Sequence, residues 1–275
     1  IKDIEGEEKI AYGNGMMEMM SFVGILLGTI LGTMLSELVS IWIICALMLL
    51  FTTISFITVY RLKIVEIPSE KPIFNTINPI KYMIESFRFA QKYKGINDAV
   101  LGSSIFWMIA GMLQLNLVIH CRQTLELSNI GTGLCMSSAA VGIALGCVFA
   151  GKILRSDNAF RMINIGLLAM NIFLLLIIVF NPNVYVFSLL MFGVTFFGGI
   201  FEVPCLAIVQ RAPIGRIVGD MMAYLNFANF VLVLIGTAIF YAVSAFFNES
   251  SIAIFTSIEV ILFLSLIYFV FKFRK

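Results

Sequence analysis

In a chain this apolar, the residues able to do chemistry are the few polar ones that interrupt long greasy runs. Glu18 stands just inside the first run, with Asn14 one helical turn before it. Gln114 and Asn116 sit near the end of the third run, and His120 and Arg122 follow at its mouth. Glu202 lies beside Pro204 late in the sixth run, and Asn226 and Asn229 are one turn apart in the seventh. A charged side chain at mid-membrane costs about 2.5–3.5 kcal/mol, so such groups normally face a bundle interior or a water-filled path. This set can bind: the Asn14–Glu18 pair and the two amides of Asn226 and Asn229 can hold a polar group, and Glu202 can carry a proton or sodium ion. Plainer roles stay open. Asn14 and Glu18 can cap a helix end, Arg122 can snorkel to an interface, and Glu202 can pair with Arg211 or Arg216. Glu259, in the last run, is expected to contact a neighbouring helix.

Covalent and metal chemistry find no footing. The chain has one histidine and five scattered cysteines without a C-x-x-C pair, which is not a His/Cys metal site. Gly13-Asn14-Gly15 is too short for a nucleotide fingerprint and follows no strand. Paired DxxxD carboxylates are absent from the sequence. No enzyme activity, metal, cofactor or nucleic-acid partner is expected.

These residues must be positioned by membrane helices. Of 275 residues, 60% are hydrophobic and 12% charged, with mean hydropathy +1.02. A soluble domain is about 45–50% apolar and about 25% charged, so a soluble enzyme is excluded. The expected fold is an all-α polytopic membrane bundle. Eight runs are long enough to span, at about 20 residues each: 15–35, 41–60, 99–119, 131–151, 162–180, 184–208, 219–247 and 252–271. With this assignment every lysine and arginine except Arg122 falls on one side. The positive-inside rule makes that side, and both termini, cytoplasmic. The first ten residues, acidic and polar, do not resemble a signal peptide.

The one long loop, residues 61–98, separates two spans from six. Asn78 can cap a helix beginning at Pro79. Ile80, Met83, Ile84, Phe87 and Ala90 then recur at helical spacing opposite Lys81, Glu85, Arg88 and Lys92, as in an amphipathic helix on the membrane surface. Six spans with both ends inside is the half-unit of major facilitator transporters. Residues 1–60 would then be the last two helices of the N-terminal half, 61–98 the cytoplasmic linker and 99–275 the C-terminal half, with four helices preceding. On that reading the chain alone lacks part of the central cavity and is not expected to transport. A weak repeat at an offset of 205 aligns Met16, Met17 and Phe22 with Met221, Met222 and Phe227. Gly24, Gly28, Gly32 and Ser36 form a small-residue stripe on the first span, and Ser138, Gly142, Gly146 and Ala150 form one on the fourth. Such stripes let helices approach closely, and these two spans are expected to meet across the interface of the halves.

The stretch Lys9-IAYGNGMMEMMSFVGILLGTILGTML, with Asn14-Gly15-x-x-Glu18 and its glycine stripe, resembles the bacterial lysophospholipid transporter family of the major facilitator superfamily. Leu127-SNIGTGLCMSSAAVGIALGCVFAGKIL, Gly198-GIFEVPCLAIVQ and Asn226-Phe227-x-x-Phe230 extend the resemblance to about residue 245. Gly151-KILRSDNAFR resembles the second copy of the facilitator cytoplasmic-loop motif, with Lys152 where an acidic residue is expected. The resemblance implies alternating-access movement of lysophospholipid, such as lysophosphatidylethanolamine, across a bacterial inner membrane for re-acylation. Asn14, Glu18, Gln114, Asn116, Asn226 and Asn229 would meet the polar head group, and Arg122 would attract phosphate entering from outside. The partners implied are the lipid, the bilayer and, in members fused to them, an acyltransferase and acyl-carrier-protein synthetase, of which these 275 residues contain no sequence. Two alternatives stay open: a proton-coupled exporter of a drug or metabolite using Glu18 or Glu202, and a non-transporting anchor for a fused acyltransferase.

Overall fold

The computed structural model describes residues 10–61, 78–155, 157–214 and 217–272. Lys2, Lys9, Lys63, Lys71, Arg216, Arg274 and Lys275 lie outside the described residues, as do the surroundings of Gly32 and Ser36 within their helix.

Among the described residues nine α-helices follow one another: α1 Ile10–Leu38, α2 Ile41–Tyr60, α3 Pro79–Ala90, α4 Ile96–Ile119, α5 Asn129–Ile153, α6 Ala159–Phe180, α7 Val184–Arg211, α8 Val218–Phe246 and α9 Ser251–Lys272. A π-helical turn, His120–Thr124, extends α4. No strand occurs among the described residues. Seven of these helices are long and apolar enough to cross a membrane, the last six with their extensions and α2. At 29 residues α1 has the length to span, but it is not among those seven.

Local chemistry sets the helix ends. The Asn78 side chain accepts from the backbone N–H groups of Ile80 at 3.0 Å and Lys81 at 3.2 Å, and α3 begins at Pro79 as expected. Asn183 caps α7 by accepting from Val186 N–H at 3.2 Å. Asn181 ends α6 with φ of 40°, a left-handed conformation that asparagine tolerates. The 181–183 connection thus begins and ends on asparagine, and α6 and α7 follow one another as an antiparallel hairpin.

The six helices α4–α9 form the packed body, and α1 lies against α5 and α7. The α5–α7 contact is made by small residues. A Cβ on Gly146 would collide with the carbonyl oxygen of Phe196, one on Gly142 with Phe192 O, and one on Gly199 would stand 2.5 Å from Cys147 N. Ser138, from the same stripe, donates to Ser188 O at 3.2 Å. The α5 stripe thus serves α7, inside the six-helix body, rather than α1. The first and fourth spans do meet, but through Gly15, where a Cβ would lie 2.5 Å from Cys147 O and 3.2 Å from the Cα of Gly151. Gly24 and Gly28 have nothing within 4 Å of where a Cβ would stand, among the described residues. Among the described residues the α1–α5 contact therefore lies about two and a half turns nearer the N-terminus of α1 than Gly24, because the glycine spacing reports a permissive face and not which neighbour occupies it.

The amphipathic helix α3 divides its apolar residues between two environments. Ser86 and Ala90 are buried, and Tyr82 and Met83 pack against the core. Tyr82 meets Phe227 of α8 edge-on at 6.3 Å and donates from its hydroxyl to Asp220 O at 3.1 Å. Ile80, Ile84 and Phe87 remain exposed. By contrast α2 contains no buried residue at all.

Candidate functional site

The polar residues of α1, α7 and α8 converge on one small chamber of about 270 Å³. Asn14 and Glu18, one turn apart on α1, project from one wall because residues four apart share a helix face. Asn226 and Asn229 do the same from α8, and Gln210 enters from the end of α7. Met17 and Met222, equivalent positions in the weak repeat, both line this chamber. Among the described residues no lysine, arginine or histidine lines it.

Behind the chamber a hydrogen-bond chain joins three helices. Ser104 donates to Asn229 Oδ1 at 2.9 Å, Asn229 Nδ2 donates to Ser103 Oγ at 3.4 Å, and Ser103 Oγ donates to Glu202 Oε1 at 2.6 Å. Glu202 is wholly buried. Its partner is therefore a serine hydroxyl of α4, and not Arg211, among the described residues. Arg211 sits at the last residue of α7, more than two turns from Glu202. Among the described residues three polar atoms in this region have no hydrogen-bond partner: Asn14 Nδ2, Glu18 Oε2 and Glu202 Oε2. Buried polar groups are nearly always satisfied, so a cluster of unsatisfied donors and acceptors beside a cavity marks a place for a polar ligand.

A second chamber, of about 390 Å³, adjoins the first and is almost entirely apolar. Trp107, Phe230 and Val233 line both. Phe22 stacks on Trp107 with ring centres 5.9 Å apart and meets Phe106 edge-on at 6.3 Å, so the aromatic wall of this chamber includes α1. Met136, Met170 and Met191 supply deformable surface deeper in. Gln114 brings a side-chain amide to this chamber, whereas the Thr195 hydroxyl donates to Met191 O at 3.0 Å within its own helix. The pair of chambers can hold an amphiphile: a polar, donor-bearing group against the carboxylate and amides, and a hydrocarbon portion beyond the Trp107–Phe230 wall.

A model of the major facilitator superfamily matches residues 1–237. The chain belongs to the major facilitator superfamily. Similar to this facilitator chain are the lysophospholipid transporters LplT of Klebsiella pneumoniae, 29% identical over 212 residues, and of Photorhabdus laumondii, 26% identical over 212 residues. Each match covers 74% of this chain and 51% of the relative. LplT of Serratia proteamaculans is 26% identical over 218 residues, 76% of this chain and 52% of its own length. The facilitator chain thus spans about half the length of the curated relatives it matches.

Within this facilitator the expected site residues separate into two groups. Asn14, Glu18, Asn226 and Asn229 come together in the polar chamber, Gln114 lines the apolar one, and Glu202 lies behind the first. Asn116 and Arg122 line neither. Asn116 is wholly buried and donates to Ser251 O at 3.0 Å, tying α4 to the start of α9. His120 Nδ1 lies 2.7 Å from Ser251 Oγ, with its ring against Phe187 and Phe255. Arg122 donates to the side chain of Asn129, bridging the π-helical turn and the start of α5. Short connections at this end of the bundle bring the helix termini within reach of these side chains. The sequence reading did not select Ser103, Ser104, Trp107 or Gln210 as site residues. The adjacent serines inside an apolar span were the available signal, a weak one because serine can satisfy itself on its own helix backbone.

Proposed function

We propose that the full-length protein moves lysophospholipid across a bacterial inner membrane by alternating access, with the polar chamber taking the head group and the apolar chamber the single acyl chain. The observation that carries this reading is the shared wall of Trp107, Phe230 and Val233 between a carboxylate-and-amide chamber and a hydrocarbon-lined one. A lysophospholipid has one polar end and one chain, and an ethanolamine head brings an ammonium that Glu18 can accept through a charge-assisted hydrogen bond. Asn14, Asn226 and Asn229 then serve the remaining polar atoms. The printed names of the relatives, lysophospholipid transporters all, favour the same cargo. Residues 1–60 would belong to the N-terminal half, 61–98 to the linker and 99–275 to the C-terminal half, both visible termini being cytoplasmic. No bond is made or broken on this chain, and re-acylation would fall to a separate or fused acyltransferase.

A proton-coupled exporter is the second reading, favoured by one observation: Glu202 is wholly buried, and its Oε2 has no hydrogen-bond partner among the described residues. Uptake of labelled lysophosphatidylethanolamine by vesicles holding the full-length protein, with diacyl phosphatidylethanolamine as control, separates the two. The lipid reading expects uptake of the lyso form alone. Absence of uptake of both lipids by folded protein would overturn it, and a strict dependence on a pH gradient would favour the exporter.

A further inference from the structure

A third cavity lies elsewhere, at the end of the bundle where basic residues gather. It encloses about 510 Å³ beneath α3, between α4, α8 and α9. Its walls are apolar along Val100, Leu101, Val231 and Leu232, with Met83 and Phe87 of α3 as a roof. Lys94 and Lys272 line its rim. The polar groups already present are largely committed to one another. Asn97 Nδ2 donates to Phe87 O at 3.1 Å, and its Oδ1 accepts from the Tyr224 hydroxyl at 3.3 Å. Asp98, the acidic residue of the lining, accepts from Tyr268 at 2.7 Å and pairs with Lys272 at 3.5 Å. Its charge is thus answered, while Lys94 is exposed and faces no acidic partner among the described residues. Arg88 and Lys92 stand close by in sequence on the polar side of α3, and Ile80, Ile84 and Phe87 are exposed alongside.

We propose that this cavity is a binding site for an anionic phospholipid of the leaflet that α3 lies on, its phosphate at Lys94 and an acyl chain between α4 and α8. Charge complementarity selects the head group: a net basic rim attracts an anionic lipid, each lysine near a membrane surface adding about fivefold in affinity. The apolar walls select a lipid over a soluble phosphate, since a free anion would leave Val100, Leu101, Val231 and Leu232 facing water. The exposed apolar residues of α3 place the opening at bilayer level, where such a lipid is supplied without leaving the membrane. The site is distinct from the transport chamber, and Ser104 forms the wall between them: it lines this cavity and donates to Asn229, which lines the other. Bound lipid would hold α3 against α4 and α8, and its occupancy does not require transport.

Native mass spectrometry of the purified full-length protein in detergent, mixed with phosphatidylglycerol or phosphatidylcholine of equal chain length, tests this. Wild type is expected to retain phosphatidylglycerol about fivefold better than phosphatidylcholine at this site. Lys94→Gln should abolish that part of the preference and Lys94→Arg should keep it. Leu101→Trp, which fills the apolar wall and leaves the charges, should lower retention of both lipids. Thermal unfolding of each variant without added lipid checks that it is folded. Equal retention of the two lipids by wild type, or an undiminished preference in folded Lys94→Gln, would overturn the proposal. So would glycerol phosphate raising the Tm as much as phosphatidylglycerol does, since that would make this a site for free phosphate.

Discussion

Stripes of small residues at four-residue spacing occur on both α1 and α5, and their surroundings are opposite. On α5, Gly142 and Gly146 press against the backbone of α7 so closely that a methyl group would strike a carbonyl oxygen. On α1, Gly24 and Gly28 meet nothing among the described residues, and the close approach is made instead by Gly15. In a bilayer, where lipid tails are as apolar as leucine, tight backbone packing is what holds helices together. A small-residue stripe therefore permits contact without requiring it. The difference also maps onto the site: α5 and α7 build a fixed wall, whereas α1, held near its first two turns, carries Asn14 and Glu18 on the segment that is anchored.

Substitutions along the two stripes should reproduce this contrast. Gly146→Leu is expected to have the largest effect, because the obstacle is the Phe196 carbonyl rather than a movable side chain. Overpacking of this kind costs about 1–3 kcal/mol, and the folded fraction and Tm of purified protein should fall most here. Gly15→Leu comes next. It would push α1 away from Cys147 and Gly151, so uptake by the full-length protein should drop steeply while Tm falls less than for Gly146→Leu. Gly24→Leu is expected to change stability by less than about 0.5 kcal/mol, the range of substitutions that touch nothing, and to leave uptake near wild type. If Gly24→Leu proved as damaging as Gly15→Leu, the contrast between the stripes would fail.

Much of the architecture was legible in the sequence because the signals were one-dimensional. Apolar run length placed all eight long helices, with α2 at 41–60 as read and the ends of the others within five residues of those expected. Asn78 followed by Pro79 marked the start of α3 because capping depends on neighbours two and three residues away. The carboxylate–amide pair on α1 and the amide pair on α8 were found by spacing, and they do line one chamber. Tertiary choice was not legible. Nothing local distinguishes Asn116, which ties α4 to Ser251, from Gln114, which lines a cavity two residues earlier. Glu202 read as an ion carrier or a partner of Arg211 or Arg216, and among the described residues it is Ser103 that lies against it.

The central claim is that Glu18 reads the head group while the apolar chamber accepts any single chain. It is tested most directly by transport of two labelled lipids through full-length wild type and Glu18→Gln. One is lysophosphatidylethanolamine, which carries an ammonium, and the other is lysophosphatidic acid, which does not. A hydrogen bond to a charged group contributes about 1.5–3 kcal/mol, so Glu18→Gln should reduce uptake of the ethanolamine lipid by about tenfold or more. Uptake of lysophosphatidic acid should hold or rise. An equal loss for both lipids, or no loss for either, would contradict the account.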